Sequence, residues 1–294
     1  MLKFLLLIDF PSGSSINYYD EKFYLIGDDA SHILILDNNY KKIDSIELFN
    51  RPEKRIPKPE KADFEASTLI TVNGKDHLLV LGSASREVRK RVILIPMSKL
   101  NDQNPAFTRH YDGKFVNRLI SNGIEEINIE GVTSIGEQIV LSNRGNASNP
   151  KNHMIVTDNY FWERQKESRV YITQLLPPVT VGEFIGVSEL FYLKSKDVLL
   201  VTLSSEVTNN SFEDGTIGDS YIGWINEPAQ KIINPEVRLD GLINLSDINK
   251  EFKGEKIEGI CVEYFTNEDC ILHLVSDNDK GETKLFKVRM DLKK

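Results

Sequence analysis

A chain of 294 residues, 40% hydrophobic and 27% charged, has globular composition and the length to bury most of its surface without disulfide staples. Its formal net charge of -8 repels phosphate backbones, which argues against a nucleic-acid partner and suits cations or basic and neutral ligands, or solubility alone. The two cysteines, Cys261 and Cys270, make neither a disulfide framework nor a zinc set; they read as buried thiols flanking a hairpin in a reducing compartment.

Taken from the start, Leu2 to Ile8 is apolar but short, ends in Asp9-Phe10-Pro11 and lacks a small-residue cleavage site. It reads as a strand rather than a signal peptide. No segment approaches the ~20 apolar residues of a membrane span. The expectation is a soluble, cytoplasmic, monomeric chain without membrane contact, forming a single domain over residues 1–294.

A degenerate repeat then runs along the chain. Each copy has a start motif, a turn and an apolar strand ending in small and polar residues. The starts are Ser14-Ser15-Ile16, Phe64-Glu65-Ala66-Ser67, Ile129-Glu130-Gly131-Val132, Ile185-Gly186-Val187-Ser188 and Ile257-Glu258-Gly259-Ile260. The strands that follow close on Gly27-Asp28-Asp29, Gly82-Ser83, Ser142-Asn143, Leu203-Ser204 and Ser276-Asp277. Third β-rich runs lie at 33–36, 92–95, 154–157, 221–225 and 285–290. Fourth runs lie at 43–49, 114–120, 169–176 and 232–239, and the last copy has none.

These signals predict an all-β, five-bladed β-propeller whose last blade is completed by the N-terminal strand, an arrangement that leaves only short edges exposed. Six blades, with the extra one between Glu206 and Glu258, is the alternative count. The stretch Arg51 to Lys61, basic and rich in proline, reads as an extended connection between blades, solvated or with Lys58 and Lys61 overhanging the channel.

In an antiparallel hairpin the start of the first strand lies beside the end of the second. Glu65, Glu130 and Glu258 are therefore expected around one mouth of the channel, with Asp28, Asp29, Ser83, Arg86, Asn143, Arg144, Glu206 and Asp277-Asn278-Asp279. Gathered carboxylates repel unless a cation, a base or a proton compensates, and Arg86 and Arg144 supply part of that. The oxygen-only set Glu130, Glu258, Asp277, Asn278 and Asp279 suits a hard cation such as Ca²⁺ or Mg²⁺. The alternative is that the acids cap strands and pair with the arginines. No nucleophile elbow, HExxH motif or phosphate-cradling glycine loop is present, and the five histidines are singletons on different strands.

The run Ile257-Glu258-Gly259-Ile260 with Leu274-Val275-Ser276-Asp277-Asn278-Asp279 resembles the EG-I…SDN signature of the phytase-like-esterase and SdiA-regulated β-propellers. Ile129-Glu130-Gly131-Val132 with Leu141-Ser142-Asn143 is similar to a second copy, and Asp63-Phe64-Glu65-Ala66 fits a bacterial branch of the same group. The resemblance implies a propeller with a calcium site, and a hydrolase activity in the phytase-like branch. It carries ligand roles to Glu130, Asn143, Glu258, Asp277 and Asn278, but Ser14 and Ile185 break the pattern in copies one and four. The expected function is binding of a cation or small ligand in an acidic funnel. The alternatives are metal-assisted hydrolysis of phosphoesters or lactones, and a protein-interaction scaffold.

Overall fold

The computed structural model describes residues 1–51, 53–99, 107–178, 184–207, 216–266, 269–277 and 281–291. The chain opens on β1 (Lys3–Leu7), which waits for its sheet until the far end of the sequence. Blade 1 is β2 (Gly13–Tyr19), β3 (Lys22–Gly27), β4 (His32–Leu36) and β5 (Lys42–Glu47). Blade 2 is β6 (Phe64–Val72), β7 (Lys75–Gly82), β8 (Arg91–Pro96) and β9 (Thr108–Tyr111). Blade 3 is β10 (Ile129–Ile135), β11 (Gln138–Asn143), β12 (Asn152–Asp158) and β13 (Val170–Leu176), extended by β17 (Glu236–Arg238). Blade 4 is β14 (Gly186–Leu193), β15 (Val198–Val207), β16 (Thr216–Asn226) and β18 (Gly241–Asn244). Blade 5 is β19 (Lys256–Phe265), β20 (Asp269–Asp277) and β21 (Thr283–Asp291), closed by β1 in the register Lys3 to Lys287.

These are the five blades the repeat predicts, and the ring closes as expected. The strands form on runs of β-branched, aliphatic and aromatic residues between turn formers, and the middle strands are apolar on both faces because each blade packs against two neighbours. The β6–β7 hairpin shows the local cause: Val72 faces Lys75 across Asn73-Gly74, both at positive φ, the pairing that matches strand twist. Apolar side chains fill every gap between neighbouring blades. Tyr24, Ile33, Leu78 and Ile95 lie between blades 1 and 2, and Leu79, Leu94, Val132 and Ile155 between blades 2 and 3. Val140, Val156, Leu199 and Ile225 follow between blades 3 and 4, then Leu200, Ile222, Leu272 and Phe286. Phe23, Leu34, Val275 and Leu285 complete the circle. Truncating any such buried aliphatic residue to alanine costs about 2–5 kcal/mol.

Three details depart from the expected pattern. Residues 114–120 form most of a helix, α1 (Gly113–Ser121), because Phe115, Val116 and Leu119 recur at helical rather than alternating spacing and bury together between blades 2 and 3. The outer strand of blade 2 is instead β9. In the run 232–239, only 236–238 is strand, and it adds in parallel to β13 of blade 3; blade 4 is completed by β18. The start of blade 4 is also displaced: counted from the hairpin, the counterpart of Glu130 is Ser188, not Ile185.

The seam between the last and first blades is tied by side chains as well as by β1. Tyr40 lies 2.5 Å from Nδ1 of buried His273, whose Nε2 lies 2.7 Å from Glu263. Burial pushes His273 down to about 4 against the pull of Glu263. The ring is therefore neutral, donating to the carboxylate from Nε2 and accepting from the Tyr40 hydroxyl at Nδ1. Cys261 and Cys270 are buried free thiols on different rungs of the β19–β20 ladder, opposite His273 and Phe265. No helix among the described residues is long and apolar enough to cross a membrane.

Candidate functional site

The innermost strand of every blade carries an irregularity just after its start, and in blades 1, 2, 3 and 5 the irregular residue is the one the repeat singles out. The ladder skips Ser14 in β2, Glu65 in β6, Glu130 in β10, Ser188 with Glu189 in β14, and Glu258 in β19. A bulge re-aims one side chain out of the pleat. Here it falls at the same end of the innermost strand in all five blades, a ring of equivalent positions.

The partners divide this ring in two. Glu130 is buried and accepts from Asn128 Nδ2 at 2.6 Å; Glu258 is buried and pairs with Lys256 at 2.8 Å. Ser188 accepts from Arg144, and Ser14 donates to the Phe64 carbonyl of the next blade. Glu65 alone of the acidic members accepts no hydrogen bond from a described residue, and it is half-buried at the mouth.

Around Glu65 the mouth is built from blades 1 and 2 and the connection between them. Asp63 sits at φ 55, a left-handed conformation that aspartate tolerates, directly before β6. Its carboxylate is fully engaged: Oδ1 meets Lys61 Nζ at 2.7 Å, while Oδ2 accepts from Arg89 at 2.6 Å and Ser83 Oγ at 2.5 Å. Lys61 also bonds Asp28. Asp28, Asp63 and Glu65 each bring an oxygen into a group within 4.8 Å of one another. Asp29 accepts from Arg55 Nε at 2.6 Å. The connection 51–61 is pinned rather than loosely solvated, through the Ala30–Arg55 bridge and the bond from Ile56 N to Asp29 O at 2.8 Å.

The electrostatics follow from this crowding. Burial, together with Asp29 and Asp63, pushes Asp28 up to about 6 although Lys61 pulls it down. Burial and the neighbours Asp63, Glu130 and Asp28 push Glu65 well above the ordinary carboxylate range. Burial opposes the charge on Lys61, but Asp28, Asp63 and Glu65 outweigh it and hold the ammonium protonated. Two oxygens stay unsatisfied: Asp28 Oδ1 and Asp29 Oδ1 are buried without a hydrogen-bond partner. Both residues line a cavity of about 200 Å³ with Ser12, Arg55, Lys58 and Asp277.

Below the mouth the channel has a floor. The residue after the irregular position is Ser15, Ala66, Gly131 and Gly259 in four blades, and Glu189 in the fourth blade. A Cβ at Gly259 would stand 2.9 Å from Cα of Ser15, and one at Gly131 2.5 Å from the Ser188 carbonyl. The inner strands thus leave room for one long side chain. Glu189 is 1% exposed and ties the blades together, accepting from Ser15 Oγ at 2.5 Å, Val132 N at 2.9 Å and Leu190 N at 3.0 Å. Burial pushes it up to about 8, with those hydrogen bonds and one from Ser67 N pulling the other way.

The residues expected at the mouth are therefore distributed as follows. Glu65, Asp28, Asp29, Ser83 and Asp277 gather on one side with Lys61, and Glu130 lies within electrostatic reach of Glu65. Arg144 is buried and spends its guanidinium on Gly186 O, Val187 O, Ser188 Oγ and Ser204, joining blade 3 to blade 4. Asn143 is likewise engaged, accepting from Asn128 N at 2.7 Å and donating to Glu126 O at 3.1 Å. Arg86 is exposed, and the arginine that enters the mouth is Arg89, three positions on. Asn278 and Asp279 lie outside the described residues, as does the side chain of Glu206. Asp63, Arg89 and Glu189 were not anticipated from sequence. The acid two positions before Glu65 was a usable signal for Asp63; nothing marked Glu189, because its blade start was misaligned.

A model of the DUF6929 family, a family of unknown function, matches residues 9–290. The chain belongs to that family. No curated protein matches this DUF6929 chain. Among solved structures it is similar to glutaminyl cyclase of Myxococcus xanthus at 11% identity and a TM-score of 0.51, covering 98% of this chain and 96% of that one. It is also similar to a GH43 β-1,3-galactosidase solved with galactodeoxynojirimycin, at 9% identity and a TM-score of 0.51, over 95% and 90% of the two chains. At these identities the likeness extends to the fold alone.

Proposed function

We propose that this propeller binds a small cation at the blade 1–blade 2 side of its mouth, through Asp28, Asp29 and Glu65. The observation that carries the reading is the pair of buried, unpartnered oxygens, Asp28 Oδ1 and Asp29 Oδ1, facing a cavity beside the unbonded carboxyl of Glu65. A buried acceptor without a donor costs roughly 1–3 kcal/mol, more when charged, and a bound cation removes that cost. Lys61 shows that the nest accepts positive charge, since its ammonium already bridges Asp28 and Asp63.

The donor set is all oxygen and fits a hard divalent ion such as Ca²⁺ better than zinc. Asp28, Asp29 and Glu65 would hold it, with Lys61 turned aside; Asp63, saturated by Arg89, Ser83 and Lys61, is the weaker donor. The ligand roles drawn from the phytase-like-esterase and SdiA-regulated resemblance move accordingly, from Glu130 and Glu258, which are engaged elsewhere, to Glu65 and Asp28. Titration calorimetry of the full chain with CaCl₂ and MgCl₂ is expected to show one saturable site, lost in Asp28→Asn and Glu65→Gln and retained in Glu258→Gln. Absence of heat with either ion in the parent chain defeats the reading.

A second reading is favoured by one feature, the raised proton affinity of Glu65 beside Asp28. Two carboxyl groups with raised affinity for a proton form an acid–base pair suited to hydrolysis of a phosphoester or lactone, with a bound cation polarising the scissile bond. A chromogenic panel of both substrate classes tests it: turnover that survives Glu65→Gln excludes this site.

A further inference from the structure

The opposite end of the channel carries a feature of reversed sign, independent of the cation reading. There the inner hairpins of blades 2, 3 and 4 turn, and a groove of about 850 Å³ opens between them. That volume falls in the range of small-molecule sites, ~300–1,000 Å³. Its floor is aliphatic, Leu69 and Ile70, and Tyr160 and Tyr192 stand at its sides.

The walls are held before any ligand arrives. Tyr160 has φ 66, an unusual conformation for a bulky residue, and its hydroxyl accepts from Asn73 N at 3.2 Å and lies 3.3 Å from Asn73 Oδ1. This fastens the segment after β12 to the β6–β7 turn. Tyr192 donates to Asp197 at 2.8 Å, and Arg169 binds Asp158 through its backbone N at 2.8 Å and its Nε at 2.7 Å. Two acids that could neutralise this surface are thereby engaged. Arg164 and Lys194 line the groove with no ion pair to a described residue; Asp158, already held by Arg169, lies within electrostatic reach of Arg164, and Glu137 is the other lining carboxylate. Such a cationic excess is set in a chain of net charge -8. Asn159 Oδ1 is buried in the same wall without a hydrogen-bond partner.

The geometry points to a second binding site on this face, for an aromatic compound bearing an oxyanion. Arg164 and Lys194 take the phosphate or carboxylate, the tyrosines and aliphatic floor take the ring, and Asn159 accepts a donor from the ligand. A preformed wall reduces the ordering cost of binding.

The test uses the full chain and phenyl phosphate as probe, followed by calorimetry, with inorganic phosphate and benzylamine as comparators. Saturable binding of phenyl phosphate is expected, tighter than that of inorganic phosphate and absent for benzylamine. The double variant Arg164→Gln/Lys194→Gln, on exposed positions, is expected to weaken it at least about tenfold, and Glu137→Gln to tighten it. Glu65→Gln, at the other end of the channel, is expected to leave it unchanged, which separates this site from the cation site. No saturation by about 10 mM, unchanged affinity in the double variant, or equal affinity for inorganic phosphate overturns the proposal.

Discussion

Glu65 and Glu258 hold the same position in the repeat, the irregular residue of an innermost strand, yet their surroundings oppose each other. Glu258 is buried and its charge is met by Lys256 of its own strand, as the Ser188 hydroxyl is met by Arg144 between blades 3 and 4. Glu65 meets acids instead, Asp28 and Asp63, and Lys61 is already bonded to both of them. The repeat thus gives a residue its place, and the charge of its neighbours gives it a role. One side of the mouth is structural, and the other gathers like charges that a bound cation would compensate.

The contrast is sharpest at the arginines. Arg144→Ala strands the Ser188 and Ser204 hydroxyls and the carbonyls of Gly186 and Val187 in a buried seam, and is expected to lower stability by about 3 kcal/mol in urea unfolding. Arg86→Ala, on the exposed surface, is expected to stay within about 0.5 kcal/mol. A large loss at Arg86 with none at Arg144 would reverse the division drawn here.

A smaller effect is predicted on the acidic side, with opposite sign. Asp28 is held at about 6 in the folded chain against an ordinary 3.8. Between those values the folded state keeps a proton that the unfolded state has released. Its contribution is therefore complete below pH ~4 and is lost as pH rises through ~6. Asp28→Asn is expected to leave stability at pH 4 nearly unchanged and to raise it at pH 8 by about 1 kcal/mol, measured by unfolding at both pH values. Glu65→Gln is expected to behave alike, since burial and the neighbours Asp63, Glu130 and Asp28 raise its carboxyl as well. Glu258→Gln, which removes half of a satisfied pair, is expected to lose stability slightly at both. Equal pH profiles for all three variants would dissolve the comparison.

Much of the fold was legible in the residues. Five start motifs, each followed by an apolar strand, mark five blades, and the N-terminal Leu-rich run supplies the missing strand of the last. The errors came where one pattern imitates another. Phe115, Val116 and Leu119 lie in an apolar stretch that resembles a strand in composition, but their i, i+1, i+4 spacing and their packing between blades 2 and 3 make it a helix. Ile185-Gly186-Val187-Ser188 mimics a start motif but lies out of register with the true one, which hid Glu189. The site was legible as a ring of positions and not as a set of partners. Whether an acid meets Lys256, Asn128 or another acid depends on side-chain reach between blades, which no short motif encodes.

The most direct measurement is anomalous diffraction from crystals of the chain soaked in MnCl₂ or CaCl₂. The expected result is one ion bound by Asp28 and Glu65 at about 2.1–2.6 Å, with Lys61 displaced from Asp28. An ion at Glu130 or Glu258, or Lys61 still bridging Asp28 and Asp63 with no ion nearby, would contradict the account.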